Sequence, residues 1–555
     1  MHSPLLYALY SSLRLGSISL AAAQSRPNIV FIMTDDQDVH MESLNHMPLT
    51  QQHLVSQGAT FEKHYCTVAI CCPSRVNLWT GQMSHNTNVT NVQPPWGGYQ
   101  KFIQNGYNDH HLALWMQQSG YNTYYTGKLY NGHTPFTYQY FNVSITYDAQ
   151  PPENPVGVYS TDLLADTAYR YLEDAFAHPD TPFFLTVAPV APHGQLTEYP
   201  EHWAGPPQVA ERHRGLFPNY TIPRTPDFNP DTPTGVNWVA QLPKLNDTMI
   251  AYNDEYQRER LRSLQAVDEM VAGIVTRLED AGVLDNTYVF YTSDNGFHIG
   301  QHRMHPGKMC GYETDINVPM IVRGPGIAPG SLRSGPTSHT NLAPTIMKLA
   351  GNDISNKSFD GAPLDLHHPD TPLAGTEHLA VEFWGIGLAE SYLAGEEEYP
   401  NNTYKAVRIH SDDYSYYYSV WCNNAKELYD MKTDPLQLHN LLPESDVSSA
   451  GDRDLTLLTN RLDALMMVLK SCKEESCISP WQSLHPDGNV GSLTDALDHQ
   501  YDDFYERQTK VSYTRCERGY IIESEGPQDF DVFGRSGIHV QARGSVINPH
   551  WSLWE

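Results

Sequence analysis

Three stretches of the chain run apolar without a break and then stop at polar residues. Residues 27–33 read PNIVFIM and end in Thr34-Asp35-Asp36. Residues 181–190 read TPFFLTVAPV and end in Ala191-Pro192-His193, and residues 287–293 read TYVFYTS and end in Asp294-Asn295-Gly296. An uninterrupted apolar run between polar residues suits a strand buried on both faces, as in a parallel sheet. Ligands bind beyond the carboxyl ends of such strands, so the three polar endings predict one shared active-site edge. A long helix is expected before the third strand, because Leu261, Leu264, Val267, Met270, Val271, Ile274, Val275 and Leu278 recur with the 3.6-residue period. Helices alternating with strands predict a layered α/β domain.

Between Gln195 and Thr248 the pattern dissolves into a Pro-rich stretch. It is long for a loop in a compact domain, which suits either a binding or lid segment or a disordered surface insertion. A segment rich in Gly, Pro, Asp and Asn, 351–378, marks a boundary. After it come HLAVEFW from His378, YKAVRIH from Tyr404 and YSYYYSVWC from Tyr414, short runs that fit an antiparallel sheet, with a helix over 455–469 to cover it. The expected organisation is a leader at 1–23, a catalytic domain at 24–375 and a C-terminal domain at 376–555. There is no internal repeat, and the last forty or so residues carry no legible signal.

Composition narrows the choice of partner. The hydrophobic fraction of 40% and aromatic fraction of 11% supply a substantial core, which excludes global disorder. Against 64 Asp plus Glu stand 35 Lys plus Arg, a net charge of -29. Nucleic acid is excluded as a partner, since its backbone demands clustered cations. An anionic small molecule remains suitable if a local cationic pocket receives it.

The first residues predict export. An apolar run from Pro4-Leu5-Leu6, interrupted by Arg14, ends in Ala21-Ala22-Ala23, which fits a signal-peptidase site before Gln24. No later stretch approaches the ~20 apolar residues of a membrane helix. Six sequons, at Asn88, Asn142, Asn219, Asn246, Asn356 and Asn401, agree with secretion as a glycoprotein. Of the eight Cys, Cys472 and Cys477 are close enough to pair locally, the alternative being that each pairs elsewhere.

The chemistry is concentrated at Cys71-Cys72-Pro73-Ser74-Arg75, followed by Thr80-Gly81. Here the chain resembles the type I sulfatase family, whose signature is C-x-P-S-R with a trailing Thr-Gly. The resemblance implies an alkaline-phosphatase-like fold, a large mixed sheet between helices followed by a smaller antiparallel sheet-and-helix domain. It also implies that a formylglycine-generating enzyme oxidises Cys71 to an aldehyde. A hydrated aldehyde offers two hydroxyls, one to attack sulfur and one to expel the sulfate afterwards, which a thiol cannot do. Ser74 and Arg75 are expected to open a helix whose first amides favour anions.

Asp35, Asp36, Asp294 and Asn295 offer hard oxygen ligands, which select Ca²⁺, or less favourably Mg²⁺, over zinc. Each pair alone reads as a turn. With the Cys71 motif they match the family's calcium site, in which the metal also touches the group made from Cys71. Lys128, His193 and Lys308 match the family's sulfate-holding residues, with the His protonating the leaving oxygen and Arg75 neutralising charge beside the metal. The block KMCGYETDINVPMIVRGP from Lys308 strengthens the likeness.

Two departures stand out. The His that many sulfatases carry two residues after the first Lys is replaced, since Leu129 and Tyr130 follow Lys128, and His133 is a weak substitute. Asn317 stands where many have Arg. Both are similar to the N-acetylglucosamine-6-sulfatase branch and its fungal arylsulfatase relatives. The resemblance resumes at Glu427-Leu428-Tyr429-Asp430, Asp434-Pro435 and Asn440-Leu441. The function implied is sulfate-ester hydrolysis. Small aryl sulfates are favoured, because the net charge repels a long sulfated polymer. The alternatives are a 6-sulfated N-acetylglucosamine substrate, a phosphate or phosphonate monoester, or non-catalytic binding of sulfated glycans if Cys71 stays a thiol.

Overall fold

The computed structural model describes residues 26–133, 139–141, 143, 145, 151, 153–197, 203–368, 377–394, 397–442, 453–534 and 539–541. The leader at 1–23 and the sequon at Asn142 lie outside these residues.

The catalytic half is built on β1 (Asn28–Thr34), β2 (Ala59–Phe61), α1 (Cys71–Thr80), β3 (Asn122–Gly127), α2 (Ser160–Phe176), β4 (Phe183–Ala188), α3 (Asp247–Asp280), β5 (Thr287–Ser293), β6 (Met320–Arg323), β7 (Ser331–Arg333) and α4 (Leu342–Leu349). Seven strands form one mixed sheet in the order β7-β2-β6-β5-β1-β4-β3. β1 runs parallel to both β4 and β5, whereas β6 is antiparallel to β5 and to β2. Every residue of β1 and β5 is buried. The alternation of the pleat explains why both faces are apolar. Ile29, Phe31 and Met33 join a core with Val76 and Leu78 of α1 and Leu342 of α4. Val30 and Ile32 point the other way, into a core with Leu172 of α2 and Leu264, Val267 and Val271 of α3.

α3 begins well before the apolar stripe that predicts it. Asn246 caps it, accepting from the Met249 amide at 3.0 Å. Its 34 residues reach about 50 Å, far enough to run past the sheet edge. Residues 203–248 are held in place, with the buried Arg303 donating to the carbonyls of Pro230 (2.9 Å), Asp231 (2.5 Å) and Leu242 (3.0 Å).

The second sheet, β8 (His378–Phe383), β9 (Tyr404–His410), β10 (Ser415–Trp421) and β11 (Lys426–Asp430), is antiparallel throughout. α5 (Arg453–Leu469) covers one face, where Val407 and Val420 meet Leu462 and Leu465. The other face, with Tyr404, Ala406 and Trp421, packs on Tyr65 and Ile70 of the catalytic half. Disulfides join Cys422 to Cys516 and Cys472 to Cys477. Cys66, Cys71, Cys72 and Cys310 are buried thiols. Among the described residues no helix is long and apolar enough to cross a membrane. Asn219, Asn246, Asn356 and Asn401 are exposed and Asn88 is half-buried.

Candidate active site

β1 and β5 are parallel and in register up to Thr34 and Ser293, so whatever follows each strand meets at one edge. Asp35 and Asp36 follow β1, Asp294 and Asn295 follow β5, and all four are fully buried. Asp36 adopts a left-handed conformation, φ 67°, which Asp tolerates better than most residues. The amides of Asp36 and Asn295 both donate to Asp294 Oδ1, at 3.0 and 2.9 Å, and Asn295 Nδ2 donates to Asp36 Oδ1 at 2.7 Å.

α1 opens at Cys71, three residues ahead of the Ser74 expected from the sequence. Cys71 thereby lies in the first turn, where backbone N–H groups have no helical acceptor and favour negative charge. Its Sγ is 3.4 Å from Asp35 Oδ1 and 4.0 Å from Asp36 Oδ1. One turn on, Arg75 Nε donates to Asp294 Oδ2 at 2.7 Å, and another of its nitrogens lies 3.6 Å from Asp35 Oδ2. Ser74 Oγ donates to the Asp294 carbonyl at 2.5 Å. Lys128, just past β3, donates to Asp35 Oδ2 at 2.5 Å. Lys308 donates to Asp36 Oδ2 at 2.6 Å and to His193 Nε2 at 3.2 Å, while His193 Nδ1 donates to the Gly194 carbonyl at 2.6 Å. Every residue singled out for chemistry thus falls in one buried cluster.

The charges there are interdependent. Burial, then Asp294, pushes Asp35 up to about 7. Burial opposes ionisation of Asp36 too, but Lys308 and His193 outweigh it and its carboxyl is lowered. Asp294 overcomes the same burial through Arg75 and Lys128 and stays well below the carboxylate range. Burial and the Lys308 charge drop His193 to about 4, which keeps its ring neutral. Burial, then Asp35, pushes the Cys71 thiol up.

The cluster can hold a metal ion. Asp35, Asp36, Cys71 and His193 place one ligand atom each within 4.8 Å of one another. Asn295 Oδ1 is buried and has no hydrogen-bond partner, an acceptor that a cation would satisfy. Asp35, Asp36 and Asn295 Oδ1 make a hard oxygen set, which fits Ca²⁺ or Mg²⁺. Asp294 stands beside it with its oxygens engaged by the Asp36 and Asn295 amides and by Arg75. His193 already has its two nitrogens engaged by Lys308 and Gly194.

The two departures resolve differently. His133 is exposed and edge-on to Tyr99, 4.5 Å between ring centroids, and is not part of the cluster. Asn317 is a brace, donating to the carbonyls of Glu62 (3.3 Å) and His64 (3.1 Å). Two contributors escaped the sequence reading. Arg260 of α3 donates to the Asp36 carbonyl at 2.6 Å and pairs with Asp38 at 3.1 Å. Its place among apolar helix positions was the available signal. Glu390 pairs with Lys308 at 2.9 Å and had no sequence signal.

Comparison with known proteins points to one family. A family model described as Sulfatase matches residues 27–352. The arylsulfatase of Volvox carteri is 36% identical over 551 residues, 90% of this chain and 83% of that protein. Sulfatase ppz1 of Metarhizium majus is 42% identical over 402 residues, 72% of this chain and 87% of its own. The N-acetylglucosamine-6-sulfatase of Homo sapiens is 30% identical over 523 residues, 86% and 90% of the two chains. A solved complex of a protein with its substrate D-glucosamine-2-N,6-O-disulfate shares the fold, with TM-score 0.63 at 21% identity over 86% of this chain and all of the other. Its sheet architecture is alkaline-phosphatase-like, its family model spans more than half its length, and the chain belongs to the type I sulfatase family as a sulfuric ester hydrolase.

Proposed function

We propose that this sulfatase hydrolyses small aryl sulfates, using a formylglycine made from Cys71 and one calcium ion held by Asp35, Asp36, Asp294 and Asn295. The observation that carries the reading is the position of Cys71. It lies in the first turn of α1, with Sγ 3.4 Å from Asp35 and Arg75 one turn behind. In the modified residue an oxygen takes the place of that sulfur. The aldehyde hydrate supplies the nucleophilic hydroxyl and calcium supplies positive charge to it and to the sulfate.

The chain's own groups do the rest. Lys128 and Lys308 bind sulfate oxygens, and Arg75 offsets the carboxylates. The hydrogen-bonded pair Lys308–His193 delivers a proton to the leaving oxygen. Burial of the whole cluster excludes bulk water and strengthens each interaction. Two disulfides and the apolar leader support passage through an oxidising secretory route.

Preference for aryl over sugar sulfates is supported by the arylsulfatases of Volvox carteri and Chlamydomonas reinhardtii, 36% and 35% identical, against 30% for the human N-acetylglucosamine-6-sulfatase. The net charge of -29 supports it as well. A small monoester carries one charge to within about a Debye length, ~8–10 Å, of the lysines, whereas a polymer meets repulsion all along its length.

Mass spectrometry of the Cys71 peptide tests the nucleophile. An aldehyde is expected there, Cys71→Ala abolishes turnover with the fold intact, and Cys72→Ala does not. Equal loss in both variants, or an unmodified thiol in fully active protein, overturns the reading. For substrate, kcat/KM on phenyl sulfate should exceed that on 6-sulfated N-acetylglucosamine, and both should exceed a heparin-type polymer. A strong preference for the polymer at low salt refutes the charge argument, and a strong preference for the sugar moves the chain to the glycan-degrading branch.

A further inference from the structure

One carboxylate at the site comes from outside the catalytic sheet. Glu390 follows the short strand Gly387–Leu388. Its amide donates to the Pro306 carbonyl at 2.7 Å, and Ala389 bridges to Gly307, the residue before Lys308. Its backbone is therefore fixed against the loop that carries the lysine. Oε1 pairs with Lys308 Nζ at 2.9 Å, and Oε2 is buried without a hydrogen-bond partner.

Two aromatic side chains stand beside the Lys308–His193 pair. Tyr256 of α3 is fully buried, and its hydroxyl also lacks a partner. The hydroxyl comes so near Gly194, the residue after His193, that a Cβ there would stand 2.3 Å from it. Phe297 lies 6.0 Å from the Tyr256 ring and 5.7 Å from Lys308 Nζ. A buried carboxylate oxygen with no donor is costly unless something else meets it. Lys308 is shared between Asp36 at 2.6 Å and Glu390 at 2.9 Å, so one lysine answers two carboxylates.

We propose that Glu390 determines specificity: its Oε2 accepts a hydrogen bond from a hydroxyl or ammonium group on the alcohol portion of the substrate, next to the sulfate, and its charge turns away alcohols bearing a second anion there. The substrate class becomes sulfate monoesters whose alcohol carries a neighbouring donor, catechol-like among aryl sulfates. The inference rests on reading Lys308 and His193 as the groups around the ester oxygen. The sulfate itself does not suffer from Glu390, because Lys308 stands between them.

Three substrates with one scaffold test it: 2-hydroxyphenyl, 2-methoxyphenyl and 2-carboxyphenyl sulfate. In the wild-type enzyme the hydroxyl compound should exceed the methoxy compound in kcat/KM by roughly tenfold or more, the range of a hydrogen bond to a charged group. The carboxyl compound should be the poorest. In Glu390→Gln the hydroxyl advantage shrinks and the carboxyl compound gains relative to the methoxy one. A common factor of loss on all three would overturn the proposal, since Glu390 would then act only by orienting Lys308. Equal turnover of the hydroxyl and methoxy compounds by the wild-type enzyme overturns it without any variant. Wild-type rates in Lys308→Ala on 4-nitrophenyl sulfate would be a different failure, that of the sulfate placement beneath it.

Discussion

Lys308 has Asp36, Glu390 and His193 within 3.2 Å, and Lys128 bonds Asp35. Burial works against charge on both, and the carboxylates outweigh it and raise them. They are thus fixed cations before any substrate arrives, which is what stabilising a transition state requires. Replacing either by Ala should remove about 2.7–4 kcal/mol of that stabilisation, a loss of ~10²–10³ in kcat, as for one oxyanion-hole donor. Steady-state rates on a phenyl sulfate check this. Wild-type rates in Lys308→Ala would show that another group holds the sulfate.

At the scale of elements, the strands were legible because β1, β4 and β5 are buried on both faces and need no polar alternation. Their polar endings became legible together, since Asp35-Asp36 and Asp294-Asn295 each read alone as a turn and gain chemical meaning from the Cys71 motif beside them. The start of α1 was not. Its N-cap is Ile70, which has no side-chain cap, so the start carries none of the Ser, Thr, Asp or Asn signal that marks a helix opening. Arg260 shows how far α3 reaches toward the proposed metal ligands. It donates to the Asp36 carbonyl and stacks on Phe297 at 4.3 Å. Groups that orient ligands in this way typically contribute 10–100-fold to metal affinity. Arg260→Met should therefore weaken calcium binding by about that factor in a calorimetric titration. Unchanged affinity would mean that the end of β1 keeps its shape without the helix, and stoichiometric zinc in active enzyme would remove calcium from the account.

At the scale of the molecule, a buried ion cluster ties the second sheet to the catalytic half. His85 of the catalytic half bonds Glu382 of β8 at 2.8 Å, and Lys405 of β9 bonds the same carboxylate at 2.7 Å. Burial alone would raise Glu382, but His85 and Lys405 hold it at about 2, below its ordinary 4.5. Its contribution is complete above pH 4.5 and disappears as pH falls toward 2. His85 is raised above 6.5 because Glu382 overcomes burial, so its share is complete below pH 6.5 and fades as pH climbs through the raised value. Glu382→Gln should lower Tm most between pH 4.5 and 6.5, with the gap from wild type narrowing on both sides. A gap independent of pH would show that packing, not charge, joins the halves. Glu390 belongs to this scale too, and was illegible because only the pairing of its segment with the distant Pro306–Gly307 loop brings it to Lys308. The burial of Cys71, 1% exposed, also sets a timetable. Asp294 and Lys308 leave the ribosome roughly 220–240 residues after it, about 10–50 s at ~5–20 residues per second. Until they arrive the thiol is open to an outside enzyme, and afterwards the cluster is shut. The proposed modification of Cys71 is therefore a race against the fold's own completion, and slowing synthesis of the segment between Arg75 and Asp294 should raise the converted fraction.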